Sequence, residues 1–176
     1  MIRLSAFSDE AASDLSGQIS ALKRNGIGYT ELRSIDGKNV AKFTVAEAKE
    51  YAKRLAGEGV AVWAIGSPLG NADIDTDFSA CHDEVKHVCA LANIFGTDKI
   101  RVFSFFDAYE KRGQVFDYLS EMAETAAEYG AGLYHENEKE VYGDTEARVL
   151  ELMANVRGMK FVYDPANYIK VGEDAE

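Results

Sequence analysis

Two carboxylates close successive apolar segments of the sequence, and these residues are the best placed to do chemistry. Glu136 ends the segment 133–136, and Asp164 ends the segment 160–164. Burying a carboxylate at the end of an apolar strand costs free energy unless a cation neutralises it. Two such groups on successive strands, facing the same opening of the fold, can hold a divalent cation through their oxygens. We therefore predict a metal site at Glu136 and Asp164, and leave open that each carboxylate caps the next helix or pairs with a nearby Lys or Arg.

Further polar residues at segment ends are candidates for contact with a substrate. His135 precedes Glu136, and strand alternation would turn it to the opposite face. Arg101 lies in the segment 99–105 and either neutralises a substrate phosphate or pairs with Glu31. Ser67 follows the apolar run 60–65. We assign His135, Ser67 and Arg101 as substrate-binding candidates.

The elements that must position these residues repeat along the chain. Five times a helical pattern ends at a glycine that a short β-rich run follows; these glycines are Gly26, Gly59, Gly96, Gly130 and Gly158. Glycine suits the left-handed residue at a helix end because it lacks a Cβ atom. Together with the run 2–7, the pattern predicts six strands joined by five helices. Strict alternation of strands and helices allows an open doubly wound sheet or a (β/α)8 barrel.

Two absent motifs favour the barrel. No Gly-x-Gly-x-x-Gly follows the first strand, and the sequence has no Walker-type Gly-Lys-Ser/Thr, so a nucleotide-binding open sheet lacks its main support. A barrel of this kind takes about 250 residues, whereas this chain has 176. We predict an α/β fold of the (β/α)8 TIM-barrel type, a single partial domain over residues 1–176 that is truncated after about six βα units.

Local signals refine the helices. Thr44 and Glu47 have the spacing of a capping box at the start of the second helix. Asp77 is predicted to cap the third helix. The fifth helix is expected to pack through the residues Ala147, Leu150, Met153 and Val156.

Composition narrows the classes of partner. The chain has 19 Lys and Arg against 30 Asp and Glu, a net charge of −11, and therefore no positive footprint for nucleic acid. The longest apolar runs are strand-sized and too short to span a bilayer. The first residues have the pattern of a strand rather than that of a signal peptide. We predict a cytoplasmic chain with no nucleic acid and no membrane among its partners.

The strand ends, taken together, resemble the sugar phosphate isomerase/epimerase family, the xylose isomerase-like barrels that include inosose dehydratases and ketose 3-epimerases. The resemblance spans nearly the whole chain. Its segments are Tyr29-Thr30-Glu31-Leu32-Arg33, Ile65-Gly66-Ser67-Pro68-Leu69-Gly70, Ile100-Arg101-Val102-Phe103-Ser104-Phe105, His135-Glu136-Asn137-Glu138 with Tyr142-Gly143-Asp144-Thr145, and Tyr163-Asp164-Pro165-Ala166-Asn167.

The resemblance implies a divalent metal ion, with Mn, Mg, Co and Zn not distinguished. The family typically holds it through Glu, Asp, His and Glu after its fifth to eighth strands. The first two match Glu136 and Asp164, and the other two have no counterpart here. Asn167 would lie near the substrate or behind the metal, and Asn137 is assigned to the substrate as well. Many relatives have the sequence Glu-Asn-His at this point. This chain has Glu136-Asn137-Glu138, so a glutamate stands in place of that histidine.

The resemblance further implies proton abstraction next to the carbonyl of a sugar or sugar phosphate, through an enediolate, by a metal-dependent isomerase or epimerase of carbohydrate metabolism. Glu136 would be the catalytic residue. In the ketose epimerases two glutamates share this work, and only Glu136 matches here, so the chain is expected to hold part of an active site.

Two other functions are weighed against this one. A non-catalytic partial barrel would act as a binding or assembly protein, pairing with another chain or a second copy through its open sheet edges. An endonuclease of the same barrel superfamily is disfavoured by the net charge of −11 and by the shortage of further His ligands.

Overall fold

Parallel strands alternate with helices along the chain in the computed structural model, which describes residues 2–76 and 78–174. Contacts divide the chain into two units. One comprises the residues up to Ser67 together with His87–Ile100, and the other comprises Pro68–Lys86 together with the residues from Arg101 onward. The prediction of a single domain stays a prediction.

The strands of the first unit are β1 (Ser5–Ala6), β2 (Tyr29–Leu32), β3 (Ser34–Ile35), β4 (Lys38–Asn39), β5 (Ala61–Ile65) and the first half of β6 (Lys99–Val102). Four of them lie side by side in the order β1-β2-β5-β6, and all three neighbouring pairs are parallel. Its helices are α1 (Leu15–Arg24), α2 (Val45–Gly57) and the last part of α3 (Phe78–Phe95), with 3-10 turns at Ser8–Glu10 and Val40–Lys42.

The helices of the first unit form where their sequence signals predict them. In α1, Leu15, Ile19 and Leu22 are buried on one stripe. The predicted capping box of α2 is confirmed: the Thr44 hydroxyl accepts from the Glu47 N–H, and the Glu47 carboxylate accepts from the Thr44 N–H. These two hydrogen bonds satisfy backbone N–H groups that the first helical turn leaves without partners.

A short antiparallel hairpin, which the sequence analysis did not predict, follows β2. Its strands β3 and β4 pair Ser34 with Asn39 and Ile35 with Lys38. Asp36 and Gly37 form its turn with φ values of 54° and 73°. Positive φ at both central residues is the requirement that makes Asp-Gly a favoured hairpin turn.

The second unit begins its sheet with the last residues of β6 and adds β7 (Gly132–Glu136) and β8 (Lys160–Val162), which pair in parallel. The strand order is β6-β7-β8. Its helices are the first part of α3, α4 (Arg112–Glu128), α5 (Glu146–Asn155) and α6 (Pro165–Lys170), with 3-10 turns at Ala108–Lys111 and Tyr142–Asp144. The core side of α4 is the predicted stripe of Val115, Leu119, Met122 and Ala126.

The predicted fold class is confirmed: the chain has an α/β fold of the TIM-barrel type, with six strands of such a barrel. The glycines predicted to end helices all have positive φ: Gly26, Gly59, Gly96, Gly130 and Gly158. None of the described helices combines the length and the apolar character that a membrane span requires. The predicted helix cap at Asp77 lies outside the described residues.

The predicted packing face of the fifth helix is wrong in part. Leu150 and Met153 are about half exposed, whereas Leu152 and Val156 are buried. The helix carries apolar residues on two adjacent stripes, so the 3.6-residue period alone could not decide which stripe faces the core.

The loop that follows β5 continues into the second unit and runs beside the residues after β6. Carbonyl oxygens of Leu69 and Gly70 accept from the N–H groups of Phe103 and Phe105, at 2.8 and 2.7 Å. Gly70 has a φ of +74°, and a Cβ atom built on it would lie 2.1 Å from the Phe103 carbonyl oxygen. Only glycine allows both this backbone conformation and this close approach.

We expect Gly70→Ala to lower the free energy of unfolding by at least about 2 kcal/mol, because it adds a steric clash to a strained positive φ. The matched control is Gly113→Ala in α4, where an added Cβ meets nothing; it should raise stability by up to about 1 kcal/mol. Urea unfolding measures both. Equal effects of the two substitutions would contradict the role assigned to Gly70.

Candidate functional site

The predicted catalytic residue Glu136 ends β7 and faces Arg101 of β6 within the second unit. Ile100 and Val102 are buried on one side of β6, so Arg101 lies on the other side. Leu133 and His135 are buried on one side of β7, and alternation places Glu136 opposite them. Arg101 Nη1 therefore comes within 3.0 Å of the Glu136 carboxylate oxygen Oε2.

This ion pair is mostly buried. The side chains of Arg101 and Glu136 are 13% and 11% exposed. The guanidinium carbon also lies 4.7 Å from the centre of the Phe103 ring, a distance typical of a cation–π contact. Oε2 is itself buried, so this oxygen depends on the positive charge of the guanidinium beside it.

Burial raises the pKa of Glu136 above its usual range, because the surroundings disfavour the charged form. The positive charge of Arg101 opposes this shift, and the negative charges of Asp164 and Glu138 add to it. Three carboxylates and one guanidinium thus act on the same region. A raised carboxyl pKa is a common property of groups that donate and accept protons in catalysis.

Asp164 is held near the end of β8 by the side chain of Asn137. The Asn137 amide nitrogen donates to the Asp164 carbonyl at 2.8 Å, and its amide oxygen accepts from the Asp164 N–H at 2.8 Å. This side chain extends the β7–β8 hydrogen-bond ladder beyond the last strand residues. The Asp164 carboxylate oxygen Oδ1 accepts from the N–H groups of Ala166 and Asn167 and so caps α6.

Asn167 completes the same network. Its amide nitrogen donates to the Asn137 carbonyl at 2.9 Å, and its amide oxygen accepts from the Lys170 ammonium at 2.9 Å. Both Asn137 and Asn167 are buried. Their side chains therefore bind the protein's own groups and position the backbone at Asp164, and the predicted contact with substrate stays a prediction.

His135 is fully buried, and its Nε2 lies 2.9 Å from the Ser104 hydroxyl. That hydroxyl also accepts from the Gly143 N–H at 2.7 Å. A Cβ atom on Gly143 would lie 2.4 Å from the imidazole, so the glycine allows the close approach. Burial lowers the pKa of His135 to about 3. The predicted contact of His135 with substrate stays a prediction.

The first unit carries a polar cluster that the sequence analysis did not assign. Asp9 follows β1, and its carboxylate oxygen Oδ2 accepts from the Arg33 guanidinium and the Ser34 hydroxyl, each at 2.7 Å. Arg33 also contacts Glu10 and lies over the ring of Phe7. The predicted substrate residue Ser67, which follows β5 in this unit, is fully buried. Polar residues directly after β1 and β2 were the available signal for this cluster.

The residues present fit a divalent cation in donor type, though not in number. Glu136 and Asp164 are oxygen donors of the kind that hard cations prefer. Within residues 2–76 and 78–174, however, no group of three or more His, Cys, Asp or Glu side chains could hold a metal ion. Both alternatives left open at the sequence are also observed, since Asp164 caps a helix and Glu136 pairs with an arginine.

Comparisons with known proteins add a family and a fold. The family model described as "Xylose isomerase-like TIM barrel" matches residues 19–176. No curated protein matches the sequence. The structure is similar to that of the probable 3-DHS dehydratase AsbF of Bacillus anthracis, with a TM-score of 0.79 and 18% identity over 99% of this chain and 67% of that chain.

Two further structures show the same likeness. The IOLI protein with a bound zinc atom gives a TM-score of 0.77 at 16% identity, over 97% of this chain and 66% of that one. L-ribulose 3-epimerase gives 0.74 at 18% identity, over 98% and 63%. The chain thus spans about two thirds of the length of these structures. At such low identity the likeness establishes the fold.

We expect the stability of the chain to fall as the pH drops from about 6.5 towards 3, in part because of His135. An unfolded histidine takes up a proton near pH 6.5, whereas the folded pKa of about 3 prevents protonation. The contribution is complete above pH 6.5 and is lost at up to about 1.4 kcal/mol per pH unit below it. Urea unfolding of the natural chain and of His135→Gln should give different slopes over this range. Equal slopes, or an imidazole NMR signal of His135 that titrates near pH 6, would contradict this prediction.

Asn137→Ala should lower the free energy of unfolding by about 2 kcal/mol or more, because it leaves the Asp164 N–H and carbonyl without partners. The matched control Asn155→Ala removes one exposed side-chain hydrogen bond on α5 and should cost under about 0.5 kcal/mol. Urea unfolding compares them. A loss for Asn137→Ala no larger than that of the control would show that the network does not hold Asp164.

Proposed function

Because the chain belongs to the xylose isomerase-like TIM barrel family, we propose that it takes part in metal-dependent isomerisation or epimerisation of a sugar or sugar phosphate. The observation that carries the proposal is the buried carboxyl of Glu136, with its raised pKa and its arginine partner, in the same unit as a second carboxylate at a strand end. The epimerase among the structural neighbours supports this class of reaction.

Glu136 is the group that moves the proton. In its charged form it takes a proton from the carbon next to the substrate carbonyl, and in its neutral form it returns the proton to the enediolate. Burial supports this role, because a carboxyl whose pKa is raised is a stronger base when charged than a carboxyl in water.

Arg101 binds the oxygen on which negative charge develops. A guanidinium presents its N–H groups in a fixed fork, and in a mostly buried site its charge acts with little screening by water. Its position 3.0 Å from Glu136 Oε2 brings it beside the group that moves the proton. Asn137 and Asn167 fix the backbone that carries Asp164.

Glu136 and Asp164 are the residues that would hold a divalent cation. When bound, such an ion polarises the substrate carbonyl as a Lewis acid. Two carboxylates do not complete the coordination shell of a divalent cation, so the proposal requires further ligands from outside the described residues. Mn, Mg, Co and Zn all remain candidates.

A non-catalytic binding or assembly role is the second candidate function. The ion pair between Glu136 and Arg101 favours it, because the buried carboxylate already has a positive partner. In that case Arg101 serves to neutralise Glu136. Pairing of copies through sheet edges and a cytoplasmic location stay predictions of the sequence.

The catalytic proposal predicts that the chain exchanges substrate hydrogen with solvent. With Mn²⁺ and a panel of ketoses and ketose phosphates in deuterated water, deuterium should enter the carbon next to the carbonyl, as seen by NMR. Glu136→Gln should slow the exchange by at least about 100-fold, because loss of a general base typically costs this much.

The matched control is Glu124→Gln, which makes the same charge change at an exposed position of α4 and should leave the exchange rate unchanged. Exchange that persists in Glu136→Gln would rule out the role of this carboxyl. No exchange with any ketose would leave the non-catalytic function as the better one.

A further inference from the structure

A groove between α1 and α2, on the first unit, differs in charge from the chain as a whole. Its volume is about 650 Å³, and small residues of both helices line it: Ser16, Ser20 and Gly57. Two carboxylates and four cationic side chains also line it, and the cationic residues are Lys23, Arg24, Lys53 and Arg54. The groove therefore has a surplus of two positive charges in a chain whose net charge is −11.

Most of this positive charge is available to a binding partner. Arg24 and Lys53 are exposed, and neither forms an ion pair with another residue that the structure describes. Lys23 pairs with Glu58 across the groove at 2.8 Å, but both side chains are about half exposed. An ion pair this exposed contributes little to stability, because water screens it. A carboxylate from outside can therefore compete for Lys23 as well.

The guanidinium of Arg54 is held over the groove by a neutral group. Its Nη2 donates to the Ser16 hydroxyl at 2.9 Å, from α2 to α1. The serine orients the guanidinium without neutralising it, and the other N–H groups of the fork can still donate to an anion. Part of the entropic cost of ordering a long side chain on binding is thus met before a partner arrives.

Helix stability alone explains only some of these cations. Lys23 and Arg24 lie in the last turn of α1, and Arg54 lies in the last turn of α2, where a positive charge offsets the helix dipole. Lys53 precedes the last turn of α2 and faces the same groove. The cations thus share the groove rather than a position within their helices.

A short run of carboxylates is the partner that this surface fits. The cations lie on both walls of an open groove, and the segment 16–24 of α1 extends for about 12 Å along it. A nucleic acid carries phosphates far beyond that length and would meet the negative charge of the remaining surface. An acidic segment of a protein can place its carboxylates in the groove and leave the acidic surface beyond it.

We propose that the groove between α1 and α2 binds an acidic segment of a partner protein, whose carboxylates pair with Arg24, Lys53 and Arg54. The inference is independent of the proposed function, since the groove belongs to the first unit and Glu136 to the second. Because the attraction is between exposed charges, it must weaken as salt screens them.

The test measures the binding of a fluorescein-labelled octaglutamate peptide by fluorescence anisotropy at low ionic strength. The double variant Arg24→Glu and Lys53→Glu should bind the peptide at least tenfold more weakly than the natural chain. The matched control is Lys42→Glu with Lys49→Glu, which makes the same charge change at two exposed positions outside the groove. It should weaken binding less than threefold, so equal losses in the two double variants would show that only net charge matters.

NMR of the natural chain locates the peptide without any substitution, and so tests the inference even where a variant fails to fold. Amide shifts on addition of octaglutamate should be largest in the segments 16–24 and 50–58. Largest shifts elsewhere, or no binding at low salt, would overturn the inference. It would also be overturned by a single-stranded oligonucleotide of equal charge that binds as tightly as the peptide, or by dimerisation of the chain through this groove.

Discussion

A carboxylate buried at the end of a strand must have a positive charge beside it, and Glu136 imposes this requirement on the second unit. Arg101 meets it because the side chains of β6 and β7 alternate so that both residues avoid the apolar side of their strands. The same burial that makes the charged carboxyl costly also raises its pKa. The Glu136 carboxyl, which costs free energy to bury, thus also has a raised pKa that suits it to gain and lose a proton.

The second carboxylate is placed by backbone geometry rather than by charge. The side-chain amide of Asn137 has the donor and the acceptor of a peptide group, and it pairs with the Asp164 backbone as another strand residue would. Asn167 then satisfies the carbonyl of Asn137. Because every polar group of this network has a partner, two buried asparagines cost the fold little. Asp164 therefore owes its position to the same ladder that ends with Glu136.

The positions of Glu136 and Asp164 at the ends of apolar strands could be predicted from the sequence, and their role in a site stays a prediction that rests on the cost of burying a carboxylate there. The partner of Arg101 was not predictable, since it depends on which strands become neighbours and with what register. The hairpin turn at Asp36-Gly37 has the favoured Asp-Gly sequence, but the strands on either side of it have only two residues each and show no strand pattern of their own. Leu150 was assigned to the core wrongly because α5 has two apolar stripes, and only the packing of the folded chain selects one.

The catalytic and the non-catalytic functions differ in the purpose of the ion pair between Arg101 and Glu136. In a binding protein, Arg101 is a permanent partner that offsets the cost of burying a carboxylate. In an isomerase, the raised pKa of Glu136 would serve proton transfer, and Arg101 would stabilise the negative charge that develops on the substrate beside it. Arginine fits either function because its charge persists at every physiological pH.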